Sequence, residues 1–153
     1  MRISLRPFVD PLPIPRVLQP LERCKDKTYY EVRMKEFFHQ FHSQLPPTRV
    51  WGYEGQVPGP TIEVEEGECT QVLWINELPD KHFLPVDRTL HGSGHDMPEV
   101  RTVVHLHGAS VEPESDGYPD AWYTNGFKKM RAEVLPEGLH LPQQTASGHA
   151  LVP

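Results

Sequence analysis

Tyr30-Glu31-Val32-Arg33-Met34-Lys35 alternates large apolar with charged side chains, one for one. Successive side chains of a strand point to opposite faces, so this hexapeptide predicts a β-strand with one buried and one wet face. Phe37, Phe38 and Phe41 extend it, and Pro46-Pro47 ends it. Thr48 to Tyr53 predicts a short strand. Gly55-Gln56-Val57-Pro58-Gly59-Pro60 predicts a turn, because its residues either fix or free φ. Thr61-Ile62-Glu63-Val64 reads as a further alternating strand, and Glu65 to Glu68 as a hairpin loop. Cys69 to Leu78 is the strongest candidate for a buried strand. Residues 79–99 predict a long loop, Arg101 to His107 another β-rich run, and residues 111–126 a second loop. Short strands bounded by turns, with no helical periodicity and no internal repeat, predict an all-β sandwich or barrel.

Composition narrows the function. The chain has 153 residues, the size of one domain. Its 17 prolines disfavour long helices. Hydrophobic residues are 37% and charged residues 24%, enough for one modest core in a soluble chain. A net charge of −6 without a basic run argues against a nucleic-acid partner. No apolar stretch approaches the ~20 residues of a membrane-spanning helix, so no membrane is expected. The N-terminus lacks an apolar signal-peptide core, which predicts cytoplasmic synthesis. Cys24 and Cys69 fit no zinc or redox spacing. Residues 1–26 read as a proline-punctuated arm, with Leu12, Ile14, Val17 and Leu18 available to lie over a core.

Val103-Val104-His105-Leu106-His107-Gly108 is the segment that can carry chemistry. Residues two apart on a strand share a face, so His105 and His107 would present two imidazoles side by side. Imidazole suits Cu, Zn, Fe or Ni. Gly108 would let the backbone approach whatever lies there. A lone pair of this spacing also occurs as ordinary surface histidines. His39, His42, His82, His91 and His95 lie in polar or loop contexts and read as solvated side chains. Trp51 and Trp74 read as core packing.

Six segments, in order, resemble the N-terminal cupredoxin domain of the multicopper oxidases, and most closely the laccases of the bacterial spore-coat type, relatives of bilirubin oxidase and phenoxazinone synthase. They are Leu45 to Tyr53 (L-P-P-T-R-V-W-G-Y), Val57 to Val64, Val72 to Asn76, His82 to Pro85, Val103 to Gly108 and Ser115 to Trp122 (S-D-G-Y-P-D-A-W). Phe8-Val9-Asp10 and Leu12 to Pro15 match as well. The resemblance implies a Greek-key β-sandwich of cupredoxin type over residues 27–129, incomplete because the family's next strands are not recognisable. It implies copper as cofactor, with His105 on the type 2 copper and His107 on one of the type 3 pair. It implies dioxygen and phenolic one-electron donors as substrates, further cupredoxin domains as partners, and a spore-coat location. In the family the loop bearing Asp116 lies near the copper cluster, where a carboxylate could supply protons or orient water. Its Ser-Asp-Gly context reads equally well as a turn aspartate bonded to its own backbone.

After Lys129 the resemblance stops, and residues 130–153 read as a non-family tail. Displacing the reading frame over this tail, with permitted codons, spells a run ending T-L-W-Y-H-D, the family's expected continuation. Gln143-Gln144 matches the family in frame instead. The expectation is a frameshift near Lys129 and a chain that is, alone, catalytically inactive. Two other classes were weighed. One is a non-catalytic copper-binding or coat-associated β domain. The other, a plastocyanin-type electron carrier, needs a Cys–His–Met cluster that neither cysteine provides.

Overall fold

The computed structural model describes residues 4–25, 27–108 and 116–128. The tail at 130–153 and the expected boundary at Lys129 lie outside them. Four strands form one sheet: β1 (Glu22–Cys24), β2 (Lys27–His39), β3 (Thr48–Tyr53) and β4 (Cys69–Asn76). β2 is the spine. Its start pairs antiparallel with β1 (Arg23 opposite Thr28), and its later half pairs antiparallel with β3 (Phe37 opposite Val50). On its other side β4 runs parallel, from Lys27 opposite Cys69 to Met34 opposite Asn76. A parallel pair needs a long crossover. Here β3 and the turn-rich residues 54–68 supply it in place of a helix.

The alternation of β2 sorts its faces as the sequence predicts. Thr28, Tyr30, Val32 and Met34 are buried; Glu31, Arg33 and Lys35 lie on the other face. Val32, 1% exposed, sits in register with Trp74. Leu18, Leu78, Val100, Val104 and Tyr123 complete the core above them. The opposite face is knit by ions: Arg33 bonds both Glu31 and Glu77, and Lys35 Nζ lies 3.8 Å from Glu77. Trp51 packs at the core's margin and Trp74 within it, so both fulfil the packing role expected of them.

Three expected features differ. Residues 61–64 form no strand: Thr61 makes only an isolated parallel bridge with Val17. Its N–H donates to Arg16 O at 2.9 Å, and its carbonyl accepts Leu18 N–H at 2.8 Å. That bridge pins the arm and buries Leu18, while Leu12 and Ile14 stay exposed. The arm also contains a strand, β1, that its composition did not reveal. The run 101–107 likewise keeps a single bridge, Thr102 to Tyr123. One 3-10 turn, Asn125–Phe127, is the sole helical element among the described residues, and none there is long and apolar enough to cross a membrane.

The loop 79–99 has a charged hub. Glu99 accepts from Lys81 Nζ at 3.1 Å and His82 N–H at 3.3 Å, and pairs with Arg88. The lysine bond, first, and then the backbone N–H hold its carboxyl below the ordinary Glu range.

Two outcomes follow. Val32→Ala should lose about 2 kcal/mol in urea unfolding, whereas Leu73→Ala, at a side chain 44% exposed on β4, should stay within about 0.5 kcal/mol of the parent. A group whose folded pKa is depressed stabilises the fold above its unfolded pKa and loses that contribution as pH falls through the folded one. Glu99→Gln should therefore lower Tm at pH 7, and its gap from the parent should close as pH drops below the ordinary Glu value of 4.5. Melting curves from pH 7 to pH 3 test this.

Candidate metal centre

Asn76, the last residue of β4, is 1% exposed. Its Nδ2 donates to Thr102 Oγ1 at 3.1 Å and to Tyr123 O at 3.3 Å, and its Oδ1 accepts Leu78 N–H at 2.9 Å. Thr102 and Tyr123 also exchange backbone hydrogen bonds at 3.0 Å in each direction. The sheet thus grips two irregular segments at one point. The first leads, through buried Val104, to His105 and His107. The second follows directly on Asp116 and Gly117.

The two segments meet at His105. Its Nδ1 lies 2.9 Å from the Asp116 carbonyl oxygen and 3.1 Å from Asp116 Oδ1. A carbonyl oxygen can only accept, so Nδ1 carries the hydrogen and donates it. In the neutral imidazole the remaining lone pair is then on Nε2, the form a metal ligand requires. His107 lies across from it, with ring centroids 6.0 Å apart and planes at 85°. Both imidazoles are exposed. Among the described residues no group of three or more His, Cys, Asp or Glu side chains could hold a metal. The pair fits as part of a site: two imidazole nitrogen donors, a type that suits copper, one with its tautomer set, with further ligands to come from elsewhere.

Gly117 makes this arrangement possible, and its role is not legible in the sequence. Its φ is +79°, and a Cβ on it would stand 2.8 Å from His105 Cβ and 3.2 Å from Val104 O. Gly108 has a φ of +88°, which favours glycine, and a Cβ there would meet nothing among the described residues. His42 and His82 are also not merely solvated. Nδ1 of each accepts a backbone N–H, from Gln44 and Leu84 respectively, both at 3.1 Å. The His82 ring lies 4.5 Å from Trp51. The Asp116 side chain faces the His105 imidazole, half exposed at 49%.

The all-β architecture matches solved structures of laccases and multicopper oxidases. The laccase of Pediococcus acidilactici superposes with a TM-score of 0.57 and 28% identity, covering 76% of this chain and 21% of that one. A multicopper oxidase from Campylobacter jejuni shares the fold with a TM-score of 0.54. The fold is thus the cupredoxin-type β fold of those proteins. A family model described as multicopper oxidase matches residues 39–100. A laccase of Bacillus subtilis is 52% identical over 144 residues, covering 93% of this chain and 28% of its own length. That span includes His105 and His107 and runs past Lys129, wherever it begins. A laccase of Haloferax volcanii is 43% identical, over 80% of this chain and 23% of its own length. The chain belongs to the multicopper oxidase family. It spans about a quarter of the length of the curated relatives it matches.

Gly117→Ala should shift the His105 ring resonances and destabilise the chain by about 1–3 kcal/mol, the scale of a strained left-handed residue plus a backbone clash. Trp74 indole resonances, across the core, should hold their positions in the same proton spectra.

Proposed function

We propose that this chain supplies the first histidine pair of a copper site in a laccase-like oxidoreductase, His105 toward the type 2 copper and His107 toward one of the type 3 pair. The observation that carries this is the hydrogen bond from His105 Nδ1–H to Asp116, which leaves the Nε2 lone pair as the metal donor. Copper held there would supply dioxygen reduction, with electrons from phenolic donors entering at a separate copper held by a cysteine thiolate and two imidazoles. The chain's own residues do less. His105 and His107 donate nitrogen lone pairs, and Asp116 holds the His105 ring and tautomer. The Asp116 carboxylate, open to solvent, can also take a proton from water and release one beside the imidazole.

Two imidazoles leave most of a copper coordination shell to water. The isolated chain should therefore bind copper weakly, and His105→Ala, His107→Ala should each weaken it about tenfold or more. Asp116→Ala should weaken it within the ~10–100-fold range of an outer-shell partner. Calorimetric titration measures this. Unchanged affinity in the double His105→Ala, His107→Ala variant, or tight binding of three coppers, would overturn the reading of the pair as a partial site. The copper-loaded chain should not consume dioxygen with a phenolic reductant. Neither exposed cysteine stands in a histidine-flanked setting that could form the thiolate–imidazole electron-entry site.

A further inference from the structure

Beside the histidine segment lies a cleft of about 450 Å³ that copper binding does not use. Trp51, His82, His91, Arg101 and Trp122 line it. Its size falls within the ~300–1,000 Å³ of small-molecule sites. One wall is aromatic, with Trp51 against His82 at 4.5 Å. On the other wall the Arg101 guanidinium lies 5.4 Å from the Trp122 ring centroid.

Among the described residues, Arg101 is the cation that lines the cleft. Nearby, Lys81 and Arg88 pair with Glu99 and Lys128 with Asp80, while Arg49 lies over the Phe83 ring, 4.9 Å from its centroid. Arg101 has no ion pair among the described residues, although it is only half-exposed. Its guanidinium lies over the Trp122 indole. A guanidinium fixed by stacking keeps its N–H fork free for a planar, bidentate acceptor. Two carboxylates also line the cleft. Glu99 is neutralised by Lys81 and Arg88, and Asp120 has an interaction of its own.

We propose that this cleft binds a small aromatic carboxylate, its carboxylate on Arg101 and its ring against Trp51 and His82. The carboxylate answers a cation that has no ion pair among the described residues, and a flat ring answers the aromatic wall. A bare inorganic anion would use only the first. The proposal is independent of the copper reading and draws on none of His105, His107 or Asp116.

The probe is benzoate, titrated into the 153-residue chain and followed by the Trp51 and Trp122 indole N–H resonances. Two relatives separate its parts: benzamide keeps the ring without the charge, and cyclohexanecarboxylate keeps the charge without the flat ring. Benzoate should bind saturably. Benzamide should bind at least tenfold more weakly, and cyclohexanecarboxylate at least threefold. Arg101→Met should weaken benzoate at least tenfold, while Arg101→Lys, which keeps the charge but not the fork, should fall between. The comparison of three ligands on the unaltered chain stands even where a variant folds poorly. Equal binding of all three, binding untouched by Arg101→Met in a folded variant, or no saturable shift with benzoate would each overturn the proposal.

Discussion

The Asn76 carboxamide is the joint on which the rest of the structure depends. A strand ladder can organise β1 to β4 by itself, but the residues with chemistry lie outside it. His105 and Asp116 stand on stretches that share one backbone bridge, and a single bridge is weak alone. Asn76 spends both its amide hydrogens and its oxygen on those stretches and on Leu78. Buried in this way, it could not lose a partner without leaving a desolvated polar atom, a cost of about 1–3 kcal/mol. Asn125 repeats the device one step along, its Nδ2 donating to Leu78 O at 2.6 Å. Among the described residues, the irregular segments are therefore fastened by side-chain amides as well as by the Thr102–Tyr123 bridge.

This division of labour explains what the sequence reveals. β2 is legible because its faces differ as sharply as the environments they meet, charge against water and Val32 against Trp74. β4 is legible from its apolar, β-branched run. The 61–64 segment has the same alternation yet pairs only at Thr61. Only Ile62 turns partly toward the core there, and Val64 stays exposed, so the alternation marks neither a ladder nor a buried face. β1 escaped notice because its three residues, Glu22, Arg23 and Cys24, are all exposed. An edge strand with no buried face leaves no pattern.

The site divides along the same line. That His105 and His107 face one way follows from strand parity, a local property. That His105 meets Asp116 is a contact across eleven positions, set by the Thr102–Tyr123 bridge and by a glycine with no room for a Cβ. Nothing in the Ser-Asp-Gly triplet distinguishes a turn from a clamp. Family resemblance pointed to Asp116, but its physical role as the group that fixes the imidazole tautomer required the fold.

The exposure of the pair follows from its energetics. Burying two imidazoles without ligands would desolvate polar nitrogens that have no partners, and the chain leaves them in water instead. The one constraint imposed on them is inexpensive: a backbone carbonyl and a half-exposed carboxylate orient His105, and neither requires a buried charge. The His105 ring is thus oriented by Asp116 while both imidazoles stay exposed, and the fold holds that arrangement without burying a charge. The sheet needs only to hold Thr102 and Tyr123 in place for the histidines to be presented correctly.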